Sequence, residues 1–424
     1  MTSSVMNGGA EASIGANART QLLSIRMIKK FERLACIAFA FAVLLWSRPS
    51  HAYAWMIQHQ YTGCAVCHVD PSGGYLLTAY GRAQTQALLS TFGKGPAGDE
   101  VDSRSHFAYG LMPPNDYVNL GAVLRAAYIK SSELQTRTLI MQADFRAALT
   151  VDRFIATGSV GYLQNGPHPA QVTPGQNNLL VSREYWLGLQ LGEDRNTMIR
   201  AGRMYLPFGV RFIEHYFYIR SNTGTDINRY QQMGASVFHE GESYRLEIMA
   251  IAGNYQIAPD DFRQRGYSGY VEFSAMQGMQ LGLSSMVLYS KLDPTTLKEN
   301  ASFGAHGPML RWSPTEHLAI LSELDLLHFS AARTLTQYGL AGIAQLDWEF
   351  TRGMHTIVTG EVYHRPELDD AQGLHFNQRE WLSLAWFMYP HIDIRGDVFR
   401  QSESAGPGVR VNSWTALGIL HASL

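Results

Sequence analysis

Residues 139–150 read Leu139-Ile140-Met141-Gln142-Ala143-Asp144-Phe145-Arg146-Ala147-Ala148-Leu149-Thr150. Every odd position is apolar, and the even positions include Gln142, Asp144, Arg146 and Thr150. Successive side chains of a strand point to opposite faces, so strict alternation over this length is a strand with one apolar and one polar side. Residues 118–129 do the same, with Val118, Leu120, Ala122, Leu124, Ala126 and Tyr128 opposite Asn119 and Arg125. Working outward, the period recurs at 154–164, 182–191, 198–206, 232–240, 244–252, 267–276, 279–289, 303–312, 318–328, 336–350, 354–364, 378–388, 392–401 and 412–423. The total is sixteen, an even number.

The connections alternate in length. Tight turns fall at 151–153, 192–195, 241–243, 277–278, 313–316, 351–353 and 389–391, with longer loops between them, the longest near 207–231. Short turns at one end and long loops at the other describe an outer-membrane β-barrel. A soluble β-sandwich also alternates, but its strands average about five or six residues. A propeller would repeat every ~40–50 residues, and no such repeat is present. Fold class is therefore all-β, an outer-membrane barrel of about 16 strands over residues 111–424.

Composition agrees. Net charge is −2, which argues against a nucleic-acid partner. Charged residues make up 17% and aromatic residues 11%, with 39 non-periodic glycines, as suits a barrel with aromatic girdles.

Upstream of the barrel stands Cys64-Ala65-Val66-Cys67-His68, a C-x-x-C-H. This is the attachment signature of c-type haem, in which two thiols reach the vinyl groups of one haem edge and the next residue offers an imidazole to the iron. A zinc half-site needs further ligands at set spacing, and a thioredoxin-like disulfide needs a βαβ context. Residues 55–110 are expected to form a small monohaem cytochrome c plug, with Cys64 and Cys67 holding one covalent haem c and His68 as proximal ligand. His59 is the first choice for the sixth ligand, with Met56 and Met112 as alternatives. After the motif, Val69 to Gly74 reads as a turn, Tyr75 to Phe92 as a short helix on the haem, and Gly93 to Gly98 as a linker. Arg82 is either a propionate partner or a surface residue.

Residues 1–54 are expected to hold a misassigned start followed by a signal peptide. Met27 opens a basic segment, Leu34 to Trp46 is apolar, and Ala52-Tyr53-Ala54 is a small-x-small cleavage site. The apolar run of about 13 residues is short of the roughly 20 a spanning helix needs. Export fits thioether attachment, which belongs to the oxidising side of the inner membrane.

A barrel of 16–18 strands leaves an aqueous lumen, and residues 55–110 have the size of a plug for it. Opposite the apolar positions stand Glu323, Asp325, Asp347, Glu349 and Glu361, an acidic wall expected to line the lumen and draw in cations. The long loop carries Arg211, Glu214, His215, Tyr216, Tyr218 and Arg220 and is expected to fold inward as a constriction or over the haem.

A cleaved signal, one C-x-x-C-H close behind it and a barrel of about 16 strands together resemble the fused monohaem cytochrome–porins, such as the outer-membrane cytochromes of iron-oxidising bacteria. In sequence the resemblance rests on Cys64, Cys67, His68 and the stretch Pro71 to Arg82. That stretch departs from the family's Pro-x-Leu-Asn-x-Phe-Gly in reading Pro71-Ser72-Gly73-Gly74-Tyr75-Leu76-Leu77, with Tyr80-Gly81-Arg82 after it. The resemblance implies electron transfer across the outer membrane between an external donor or acceptor, ferrous iron among them, and a periplasmic c-type cytochrome or other soluble carrier. Two rivals stand beside it: a diffusion porin with a haem-bearing plug, and a periplasmic haem enzyme with a soluble β domain.

Overall fold

The computed structural model describes residues 54–424 except 75, 94–105, 113–114, 134, 163–179, 215, 227–229, 255–259, 295, 365–375 and 407–408. Apart from Ala54, the expected start and signal peptide lie outside the described residues, as do Tyr75, His215 and most of the Gly93 to Gly98 linker.

The strands are β1 (Val118–Ser131), β2 (Arg137–Val151), β3 (Phe154–Tyr162), β4 (Leu180–Val181), β5 (Tyr185–Leu191), β6 (Thr197–Met204), β7 (Gln232–Glu240), β8 (Tyr244–Ile251) and β9 (Arg265–Met276). They continue as β10 (Met279–Leu292), β11 (Glu299–Thr315), β12 (Leu318–Ser330), β13 (Gln337–Thr351), β14 (Met354–His364), β15 (Asn377–Tyr389), β16 (Ile392–Gly406) and β17 (Val409–Ser423). Each long strand pairs antiparallel with the next. β17 returns to β1 in a register running from Val123 opposite Ser423 to Ser131 opposite Thr415. The sheet therefore closes as sixteen long strands plus the two-residue β4, and closure removes the unpaired edge an open sheet would carry.

Sequence periodicity locates each long strand within a few residues. One expected strand, 182–191, starts late, at Tyr185, with the two-residue β4 ahead of it, because Arg183 and Glu184 are consecutive and both buried, which period two does not allow. The ladder breaks there, and Ser159 Oγ takes its place by accepting the backbone N–H groups of Arg183 and Glu184 at 3.0 and 2.9 Å.

Outward-facing aromatics gather in two bands. Phe154, Tyr244, Phe273, Trp348, Phe350 and Tyr389 stand near the short-turn end, and Tyr128, Tyr162, Tyr267, Tyr289, Tyr338 and Trp414 near the long-loop end. Between them the outer wall is aliphatic, with exposed Leu187, Ile248, Leu283, Leu324, Leu382 and Val398. Amphipathic rings at two levels with aliphatic side chains between them match a wall that meets a lipid layer and its two interfaces.

The inside is filled in two tiers. Residues 55–93 enter at the short-turn end, where Thr91 N and Phe92 N donate to the carbonyls of Phe387 and Met388 at 2.9 and 3.0 Å. Above them the segment between β6 and β7 turns into the barrel and carries the helix Tyr218–Thr223. Its Phe208, Phe212, Phe217 and Ile219 are buried against inward Met249, Met286, Leu321, Ile343, Trp381 and Phe399. The inner wall is thus partly apolar, which a water-filled lumen would not favour; these side chains form a core with the inturned loop. Gly209 allows that loop its path. It has φ +61, and a Cβ there would run into the Glu323 carboxylate.

Candidate functional site

The motif folds as one helical turn, with Cys67 N and His68 N both donating to the carbonyl of Cys64 at 3.1 and 2.9 Å. Cys64 and Cys67 are free and buried. The following segment doubles back: Val69 N donates to Leu76 O, Thr78 N donates to Cys67 O, and His68 bridges Leu77. The bend between them is held by Asp70, whose Oδ1 accepts Ser72 N at 2.9 Å and Ser72 Oγ at 2.8 Å. Gly73 sits in it at φ +94, where a Cβ would come within 3.2 Å of Cys64 Sγ. Thr78 then caps the short helix Ala79–Gln84 by accepting Gly81 N at 3.0 Å, while its hydroxyl donates to Val66 O at 2.9 Å. The expected helix over 75–92 is shorter than its apolar content implied, and continues as a wider π-type turn, Thr85–Leu89.

This unit is fastened to the wall by buried charges. Asp70 Oδ1 lies 2.8 Å from Arg200 Nη1 of β6, and Arg200 Nη2 lies 2.6 Å from Glu247 Oε1 of β8. Burial pushes the Asp70 carboxyl up, but Arg200, Arg211 and the Ser72 donors outweigh it and hold it below the usual carboxylate range. Arg211, at the tip of the inturned segment, donates from Nη2 to Ser72 Oγ at 2.7 Å and from Nε to Ser72 O at 3.2 Å. Arg245 Nη1 is 2.9 Å from Cys64 Sγ and is paired with Glu272, which Arg311 also grips at 2.9 Å. The loop therefore reaches the residues that follow the motif, as expected for a segment folding over it.

Protonation states follow from burial. Desolvation lowers the His68 pKa to about 4 despite the neighbouring Asp70, so its imidazole is neutral at pH 7 and has a lone pair for a metal. Desolvation, with Cys64 adding to it, raises the Cys67 thiol to about 12. Among the described residues, no group of three or more His, Cys, Asp and Glu side chains is placed to hold a metal ion, so the further ligands of a zinc site are missing there.

The other residues singled out from the sequence have specific partners. His59 Nε2 lies 3.3 Å from Glu349 Oε2, and Glu349 also accepts Gly353 N at 2.8 Å. Asp347 pairs with His355 at 2.8 Å. Glu323 pairs with Arg220 and accepts Val210 N at 2.6 Å. Glu361 accepts Trp381 Nε1 at 2.8 Å and Tyr218 N. Asp325 is buried beside Glu323 on the same face of β12. All five carboxylates do face inward, but Glu323, Glu349 and Glu361 are taken up by the plug and the loop. Arg82 is buried and donates to Leu120 O of β1. Met112 is 47% exposed.

Sequence reasoning did not single out Arg200, although it occupies an inward position of an expected strand. Its value lies in meeting Asp70 from 130 residues away in the chain, a pairing that no local pattern announces.

The donor set suits a covalent c-type haem: two free thiols three residues apart and a neutral imidazole on one turn. The surroundings are two-sided. At Cys64 they are polar and close-packed, with a void of about 20 Å³ lined by Ser72, Phe208, Arg211, Arg245 and Tyr270. At Cys67 they are apolar, with Met56 and Leu89 buried beside it and Trp55, Tyr61, Leu77, Leu88 and Phe387 packed around them. The apolar side is the one suited to a macrocycle.

No family model matches the chain, and no curated protein matches it. Solved structures do. OmpT, an outer-membrane protein of Vibrio cholerae, is similar with a TM-score of 0.54 and 11% identity, covering 73% of this chain and 99% of that one. The anion-selective porin from Comamonas acidovorans is similar with a TM-score of 0.55 and 9% identity, covering 72% and 99%. The outer-membrane channel DcaP of Acinetobacter baumannii is similar with a TM-score of 0.52 and 10% identity, covering 72% and 97%. At these identities the likeness is one of fold: a closed, porin-type antiparallel barrel.

Proposed function

We propose that this protein is an outer-membrane electron conduit, in which one c-type haem attached to Cys64 and Cys67 and ligated by His68 lies inside a sealed porin-type barrel. The observation that carries the reading is the C-x-x-C-H turn, buried on the docked plug where the barrel wall and the inturned loop meet it. The haem supplies one-electron redox chemistry when bound. The chain's own residues do the rest. The barrel crosses the lipid without an open edge, and the Asp70–Arg200–Glu247 triad holds the plug to the wall. His68 is kept neutral by burial, and the loop's phenyl rings exclude water from above. External and periplasmic redox partners exchange electrons at the two ends, ferrous iron being one candidate donor.

The diffusion-porin reading has one point in its favour, the likeness to channels. Against it stands a lumen filled by plug and loop with buried ion pairs. The soluble-enzyme reading does not fit a closed barrel with an aliphatic outer wall between two aromatic bands. The test uses the full-length protein extracted from outer membranes, with haem staining, heat-modifiable migration and electron transfer to an enclosed acceptor in proteoliposomes. The conduit predicts a haem-positive band that shifts on boiling, and electron transfer abolished by Cys64→Ala, with no steady ion current. A haem-free band with ohmic conductance would establish the porin instead.

A further inference from the structure

The structure bears on the second axial donor, given the haem reading above, on which this inference rests. The short 3₁₀ helix Trp55–His59 presents both nearby candidates, Met56 and His59, and treats them differently. Met56 is 1% exposed and shares one apolar cluster with Cys67, itself 2% exposed. Leu77, the residue bridged to His68, belongs to the same cluster. The chain between Met56 and the motif is folded back, because Met56 O accepts Tyr61 N at 3.2 Å. Tyr61 packs on the cluster as well. His59 instead turns to the wall and pairs with Glu349, which is buried on β13 and also receives Gln58 Nε2 at 3.4 Å. Drawing His59 to an iron would take its imidazole away from the Glu349 carboxylate that it faces at 3.3 Å.

We propose that Met56, not His59, is the second axial ligand of the haem held by Cys64, Cys67 and His68. A thioether is soft and uncharged, so it suits the apolar side of the motif on which Met56 already packs. His/Met ligation also raises the reduction potential above that of a bis-imidazole site. A donor set of this kind fits an electron source that is itself only weakly reducing.

The test is spectroscopic and uses the full-length, haem-loaded protein in detergent. Wild type and the Met56→Ala, Met56→His and His59→Ala variants are compared by pyridine haemochrome, optical and EPR spectra and potentiometric titration, with heat-modifiable migration confirming that each barrel has formed. The proposal expects the weak long-wavelength sulfur-to-ferric-iron band in wild type and in His59→Ala. It expects loss of that band in both Met56 variants, and a fall in potential in Met56→His. Covalent haem with a bis-imidazole spectrum in wild type, converted to another spin state by His59→Ala, would overturn Met56 and leave the haem reading intact. Absence of covalent haem from the folded wild-type barrel would overturn both.

Discussion

Replacing Arg200 by Met should unseat the plug. Arg200 has no exposed surface in its side chain and serves two carboxylates, Asp70 of the plug at 2.8 Å and Glu247 of the wall at 2.6 Å. Removing the guanidinium takes away the cation that two buried acids share, leaving Arg211 still acting on Asp70. Losing one partner of a buried pair costs about 3–5 kcal/mol, and at ~1.4 kcal/mol per decade this weakens docking by about two to three and a half orders of magnitude. The cost falls on the plug, because undocking is the one movement that returns Asp70 to water while leaving the barrel ladder intact. Planar-bilayer recording reads the effect as opening frequency, and protease cleavage within 55–93 reads it independently. Wild type should show rare openings, and Arg200→Met openings should rise by about two to three and a half orders of magnitude. The triple variant Arg200→Met, Asp70→Asn, Glu247→Gln should recover most of the closure, since neutral groups of similar size no longer repel. Arg200→Met channels as quiet and as protease-resistant as wild type would refute the reasoning that buried charge holds the plug.

Three further outcomes are expected. Gly209→Ala places a Cβ at φ +61 against the Glu323 carboxylate, so the inturned loop should lose about 1–3 kcal/mol of docking stability, read as faster hydrogen exchange over 205–223 with the barrel strands unchanged. Leu324→Arg, on the outward face of β12, should cost about 2–4 kcal/mol in refolding into lipid vesicles if it lies near the bilayer midplane; a refolding free energy equal to that of wild type would contradict a lipid-facing wall. Asp260, before β9, is held down to about 2 by hydrogen bonds from Lys291 and Arg265. Its folded pKa is below the ordinary 3.8, so its contribution is complete above that pH and is lost as pH falls through about 2. Carboxyl NMR titration should place its midpoint well below 3.8, and a midpoint at 3.8 would dissolve the clasp.

The barrel and the attachment turn were legible in the chain itself. Alternation such as that of Leu139 to Thr150 is a local property, because the strand's side-chain period is two whatever it pairs with. The lengths of turns such as 277–278 then set which strands are neighbours. The Cys64 to His68 spacing is likewise local, since five adjacent residues contain its whole chemistry. Tertiary structure decided what the inward face meets. Leu321, Ile343 and Trp381 look like breaks in a polar lining until Phe208, Phe212 and Phe217 arrive from a distant loop to cover them. Glu323, Glu349 and Glu361 read as an acidic pore wall, yet Arg220 and Tyr218 of the inturned loop and His59 of the plug meet them from 103 or more residues away in the chain, so these carboxylates serve docking. His59 and Met56 stand three residues apart on one turn, and sequence cannot rank them. Which one turns toward Glu349 and which toward Cys67 depends on how the plug sits against β13, and that contact exists only once the barrel has closed around it.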